Sequence, residues 1–529
     1  MSSAFSRTLP ARPDLDQQKK LAKELLQAFH AGDREAIARM RAELPDKADL
    51  SLADAQFVLA REYGFASWRD LRNRIKKDAA AQQPPMERFK RAVLDGDANA
   101  VRALIEQHEE VRSSLDAPSF GFDAPALVAA SDKNVAVIDV LLEFGADPNC
   151  RSKWWAGGFH PLHGARGAAA EHLIAAGSIP DACGAANLDR ADLLAAMIAE
   201  DPARVHERGG DGQTPLHFAR SRGVVDLLLA AGADPDARDV DHRSTPAQWM
   251  LGDDPDSSRF DLAKYLVDRG ASADIFLAAA LGLTERARTM LESEPSLLRL
   301  RTSQGEYGEK LPSSFHIYQW TIGPNRAPLQ VAAQFGQRET LAAMTDFASA
   351  EERLLLACHQ GDGDQARAMV DVDPGIVERL GAVERRALTD EAWAANAPAV
   401  ELMLTLGFGP SVPSVSGPTS GTALHCAAWA GSAECVAAIL RHPAGRALLE
   451  VRDPRYGGTP LSWCSHGSAN CGRREADHAA VARILIATGV RMDSGMAEWE
   501  GSDAFMAVID EALRGSGIRA TMNSNEETR

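Results

Sequence analysis

Nine side chains stand out as able to hold or transform a ligand. Tyr307, Phe315, His316, Tyr318 and Trp320 crowd one loop, and Trp393, Trp429, Trp463 and His466 follow downstream. Aromatic walls with a few polar groups are the make-up of a ligand pocket. In such a pocket His466 or His316 could serve as general base and Tyr318 as proton donor. A second constellation is Cys464, His466, Cys471 and His478. Zinc sites favour Cys-x₂₋₄-Cys and His-x₃₋₅-His steps. These residues do not keep those steps, so no metal is expected. No Gly-x-Gly-x-x-Gly, Walker or Gly-x-Ser-x-Gly pattern occurs, and no cofactor is expected.

What positions these residues is a repeat. Thr214-Pro215-Leu216-His217 returns as Thr422-Ala423-Leu424-His425. Degraded copies begin at Ala124, His160, Thr245, Ala327, Arg386 and Thr459. Neighbouring copies lie 31 residues apart between Thr214 and Thr245, 36 between Arg386 and Thr422, and 37 between Thr422 and Thr459. Wider gaps hold helical pairs without the tetrapeptide, as at 185–198, 276–291 and 352–370. In phase with these run Leu-Leu pairs closed by glycine, as in Leu228-Leu229-Ala230-Ala231-Gly232 and Leu141-Leu142-Glu143-Phe144-Gly145. Threonine caps a helix, proline fits its first position, and glycine ends the second helix in a left-handed turn.

On these motifs the chain resembles the ankyrin repeat family, a β-turn finger plus two helices per unit of about 33 residues. The resemblance covers about residues 86–515. It implies an all-α ankyrin-type repeat solenoid with short finger turns, because neither helix of a unit buries its apolar face alone. The several domains that 529 residues would suggest then merge into one array. It also implies that the places one and four after the tetrapeptide face a concave groove. Trp249 and Trp463 hold the first place, and Trp393, Trp429 and His466 hold the fourth in three successive units. Helices about 10 Å apart would align these three in one stripe. His217 and His425 complete intact tetrapeptides and read as structural. His160 stands where a capping threonine is expected.

Departures from the repeat carry the remaining signal. The longest insertion, 302–325, holds the five aromatic or imidazole side chains of the loop and is expected to project beside the groove. Gly409–Gly421, Gly252–Arg259 and Gly467–Asp477 read as lengthened loops. Residues 1–81 read as a helical N-terminal extension. There Ser67 caps a helix through Ile75, and Phe65, Trp68 and Leu71 are expected to pack on the first repeat. This stretch resembles the helices that often precede bacterial ankyrin arrays, which implies a bacterial source. Residues 516–529 read as a disordered tail.

Composition bounds the function. The net charge of −17 disfavours a phosphate backbone, so no nucleic acid is expected. No apolar run is long enough to span a membrane, and no signal peptide opens the chain. Seven scattered cysteines fit a reduced, cytoplasmic setting. Ankyrin-like proteins usually bind proteins in the groove, so a scaffold for a protein partner is the expected function. The alternative is an enzyme or small-molecule-binding protein with an aromatic and histidine pocket in the C-terminal half.

Overall fold

A computed structural model describes residues 5–515, except 11, 12, 46, 48, 49, 51, 82, 253–257, 303–316, 324, 413–420, 493–495, 497, 498 and 500. Tyr307, Phe315 and His316 lie outside the described residues, as do the tail and most of the Gly409–Gly421 loop. The described residues are helical. Their β-structure is a single isolated bridge between Phe120 and Ala124. The fold is thus all-α.

The tetrapeptides start helices for the reason their chemistry dictates. Thr214 precedes the helix Pro215–Phe218, and its hydroxyl lies 2.9 Å from His217 Nδ1. That nitrogen accepts the Thr214 backbone N–H at 3.0 Å. The opposite nitrogen, His217 Nε2, then carries the proton and donates to the Ser244 carbonyl of the next finger at 3.1 Å. His425 repeats the arrangement with Thr422 and the Gly458 carbonyl. Each imidazole therefore ties its own helix start to the following unit. Second helices end at glycines in the left-handed region, such as Gly145 and Gly232.

The chain forms two compact units. Residues 83–348 build one from successive helix pairs, among them Pro215–Phe218 with Arg222–Ala230 and Pro246–Met250 with Ser258–Asp268. Residues 1–82 and 349–529 build the other. In the latter, the first helices Ala387–Trp393, Ala423–Ala430 and Pro460–Asn470 pack in series. Their partners Ala397–Thr405, Ala433–Arg441 and His478–Thr488 pack behind them. Apolar side chains from successive pairs, including Leu388, Leu424, Val436, Leu461 and Leu485, merge in one core. The array expected over 86–515 is thus distributed over two units. The turn expected at Gly467–Asp477 is partly helix, since Pro460–Asn470 continues through Gly467.

The N-terminal helices build a cluster of their own. Trp68 and Leu71 are buried among Leu25, Met40, Val58 and Leu59 of these same helices, and Phe65 packs against that cluster. They take part in a core of their own. Ser67 does cap, accepting the Asp70 N–H at 3.1 Å, but its helix runs from Trp68 to Ala81. The segment meets the last helix, Asp503–Gly515. The helix Leu52–Glu62 packs on it, Arg69 donates to the Asp503 carbonyl at 3.0 Å, and Arg72 donates to that of Trp499 at 3.1 Å.

Candidate functional site

Three first helices of the unit containing residues 349–529 position an aromatic cavity. Trp393 is the last residue of Ala387–Trp393, and Trp429 occupies the last turn of Ala423–Ala430. Their rings stack at 4.1 Å between centroids, 8° from parallel. Trp463 and His466 rise from Pro460–Asn470. With Tyr456, Gly458 and Ser462 of the adjoining finger and helix start, these residues line a cavity of about 470 Å³. Trp393 and Trp429 are half-buried, Trp463 is buried, and His466 is exposed. The helices approach closely here: a Cβ on Gly467 would lie 2.3 Å from the Trp429 carbonyl oxygen.

Trp463 is held by the finger before it. Its indole N–H donates to Asp453 Oδ2 at 2.9 Å. The same carboxylate accepts the backbone N–H groups of Arg455, Tyr456 and Gly458 at 2.7–3.0 Å. Burial alone would raise the Asp453 pKa, but these donors hold it below the ordinary value. The finger in turn presents the Tyr456 ring, 6.4 Å from Trp463 and edge-on. His425 packs edge-on from the other side at 5.3 Å. Tyr456 is the lining residue that the repeat register does not reveal. Its signal is the Asp453-Pro454-Arg455-Tyr456-Gly457-Gly458 turn directly before a capping threonine.

Three of the four side chains weighed for zinc have partners. Cys464 is buried with its sulfur 3.4 Å from the His478 carbonyl, and burial pushes its thiol pKa well up. His478 Nε2 lies 2.9 Å from the Trp429 carbonyl, and Asn470 lies 3.3 Å from His466 Nδ1.

The described residues of the 302–325 insertion belong to the other unit. Tyr318 is fully buried there, which corrects its expected place in a groove. Its hydroxyl donates to Asp274 Oδ2 at 2.7 Å and its ring packs 5.4 Å from Phe276. Burial first, then the Asp274 carboxylate, raises its pKa well above the ordinary value, and the buried hydroxyl braces the core through Asp274. Trp320 is 60% exposed.

That unit holds a second aromatic group, built on fingers. Trp154, Trp155 and Phe159 lie in the finger before His160-Pro161-Leu162-His163. Phe122 meets Trp154 at 5.2 Å and Phe159 at 5.5 Å. The readable signal was the tryptophan doublet followed by Gly157-Gly158. In the fingers that follow, Asp211, Asp239 and Asp241 are buried and His242 is half-buried. Burial, then the charges of Asp241 and Asp239, push the Asp211 carboxyl up to about 7. Burial likewise takes Asp239 to about 6, although Ser244 and the Trp249 indole donate to it.

Comparison with known proteins bears on the scaffold. The ankyrin repeat family model matches residues 211–240. That stretch is similar to one ankyrin repeat. The chain is also 25% identical over 200 residues to the ANK repeat-containing protein nipk-1 of Caenorhabditis elegans. That match covers 34% of this chain and 29% of the nematode protein. Ankyrin repeats indicate a protein-interaction scaffold. No helix among the described residues is long and apolar enough to cross a membrane.

Proposed function

We propose that the repeats of residues 349–529 bind a protein partner whose apolar or aromatic side chain enters the cavity between Trp393, Trp429 and Trp463. The observation that carries this reading is the stacked tryptophan pair opening on a cavity of about 470 Å³. Tryptophan is enriched among the residues that dominate binding energy. The half-buried rings leave apolar surface that a partner would cover. His466 and Tyr456 border it and supply polar selectivity. The seven free cysteines, six of them buried, suit a reducing cytoplasmic setting.

Trp429→Ala tests the reading. Affinity capture from the native host, followed by titration with the captured protein, should show binding about 2 kcal/mol weaker. The melting temperature should fall only slightly, because Trp429 is half-buried. Unchanged binding by the variant would overturn the proposal.

A second reading is favoured by the cavity's size, which falls among small-molecule pockets of about 300–1,000 Å³. In it, a flat ligand lies along Trp393 and Trp429, and the exposed His466 imidazole borders its edge. Tryptophan quenching by host metabolite fractions, lost in Trp429→Ala, separates this reading from the first.

A further inference from the structure

In the unit of residues 83–348, two consecutive fingers bring carboxylates and an imidazole together. Asp211 sits at the turn of one finger, and Asp241 and His242 sit at the turn of the next. One oxygen of Asp211, one of Asp241 and one ring nitrogen of His242 all lie within 4.8 Å of one another. First-row divalent ions take nitrogen and oxygen ligands at about 2.0–2.2 Å. Three such ligands around one ion are separated by about 3–4 Å, a spacing this group can adopt with small side-chain adjustments.

The second observation concerns satisfaction. Asp211 is 7% exposed and Asp241 is 5% exposed. The Oδ1 atoms of both are buried and meet no donor at full hydrogen-bonding geometry among the described residues, although the Trp154 indole acts on the Asp211 carboxylate and offsets part of its rise in pKa. A buried carboxylate oxygen without a donor is costly. Asp239, close by, does not share this condition: it accepts from the His242 and Ser244 backbone N–H groups and the Trp249 indole. The group therefore contains one carboxylate whose two oxygens are both used by the fold and two that each keep a buried oxygen short of a full hydrogen bond. His242 directs Nδ1 to the same place, 3.6 Å from Asp241 Oδ2 and 3.8 Å from Asp239 Oδ2.

The surroundings hold these atoms in place. Asp211 has φ 56°, in the left-handed region, and its carbonyl accepts the N–H groups of Val240 and Asp241 at 2.9 and 3.2 Å. Those bonds lock one finger to the next. On one side a Cβ at Gly210 would meet the Phe159 ring at 2.2 Å, so the aromatic finger closes directly over the turn. On another, the His242 ring packs edge-on against Trp249 at 5.0 Å.

From this geometry we infer that Asp211, Asp241 and His242 bind a first-row divalent transition-metal ion. The ligand set decides the class. Two carboxylates with an imidazole suit Mn²⁺ or Zn²⁺, whereas Ca²⁺ and Mg²⁺ prefer oxygen alone. Three protein ligands leave coordination places for water. The ion would neutralise the inward carboxylates and pin two fingers together.

The test uses the full chain without an affinity tag, stripped with a chelator. Calorimetric titration with Zn²⁺, Mn²⁺, Mg²⁺ and Ca²⁺ is paired with thermal melting in each ion. One Zn²⁺ or Mn²⁺ per chain should bind and raise the melting temperature, with Mg²⁺ and Ca²⁺ ineffective. Asp211→Asn and His242→Gln should each weaken binding by about tenfold or more, the loss expected when a metal site is disturbed. They should also abolish the thermal shift. Asparagine tolerates a left-handed turn, so Asp211→Asn keeps the backbone. The His30→Ala variant, altered at an exposed histidine of the other unit, should bind as the wild type does. Absence of saturable binding, or full binding by both site variants, overturns the inference. So does a higher melting point of metal-free Asp211→Asn with no response of the wild type to any ion, which would mark a proton-sharing acid pair.

Discussion

Asp239–Trp249 and Asp453–Trp463 are the same brace in two settings. In each, an aspartate of a finger accepts the indole N–H of a tryptophan ten residues later. Asp453 also receives three backbone N–H groups from its own turn, and its pKa is held low. Asp239 receives two, has Asp241 beside it, and is pushed up to about 6 by burial. The difference lies in the finger tips. Arg455-Tyr456-Gly457 turns its backbone donors toward Asp453, whereas Val240-Asp241-His242 adds another acid. The first setting leaves an aromatic wall beside a cavity, and the second brings carboxylate and imidazole atoms within 4.8 Å of one another. A shared local motif can therefore serve opposite electrostatic ends, and three tip residues decide which.

The comparison breaks most visibly at the tryptophans. Trp463→Ala removes a buried ring and should cost about 3–5 kcal/mol, whereas half-buried Trp249→Ala should cost less than half of that. Urea unfolding followed by circular dichroism measures both, and equal losses would mean the two braces do not differ in burial.

Next come the carboxylates. Asp453→Ala strands three backbone donors and the indole, an expected loss of about 3 kcal/mol. Asp239→Asn keeps an oxygen for the two backbone N–H groups and removes a charge next to Asp241, but turns an amide N–H toward the Trp249 indole N–H, so the metal-free protein should lose about 1–2 kcal/mol, less than Asp453→Ala loses. A larger loss at Asp239 would reverse the contrast.

A smaller effect sharpens the difference between the units through acid. His160 takes the capping place held by Thr422 in the other unit, and its Nδ1 accepts the Leu162 N–H at 3.2 Å. Burial, only partly offset by Asp181, lowers its pKa to about 4 from the usual 6.5. A depressed folded pKa means that the unfolded chain takes up the proton first. The stability is therefore present above pH 6.5 and is lost as pH falls through about 4. His160→Thr should remove about 2 kcal/mol of that acid loss and leave stability at pH 7 nearly unchanged. Melting temperatures between pH 7 and pH 4 check it: parallel wild-type and variant curves would exclude His160 as the sensitive group.

Much of this was legible in the residues. The tetrapeptides and Leu-Leu-Gly ends announce helix pairs because capping, proline and left-handed glycine act within a few residues. The roles of His217 and His425 followed from the same local chemistry. Trp393, Trp429 and His466 share one offset from the repeat and line one cavity, because helices packed in series repeat their exposed places. Tyr318 failed as a site residue because loop position says nothing of burial, and its partner Asp274 stands 44 residues earlier. Tyr456 escaped notice because a finger tip has no helical register.

What the sequence determined by itself is therefore everything set by short-range stereochemistry: helix starts, helix stops and the order of pairs. The tertiary structure decided which pairs share a unit, and that the N-terminal helices meet Asp503–Gly515, 434 positions from Arg69. It also decided that Asp211 and Asp241, 30 residues apart, face one point. These outcomes depend on apolar area buried between distant segments and on the desolvation of charge, and neither leaves a periodic trace along the chain.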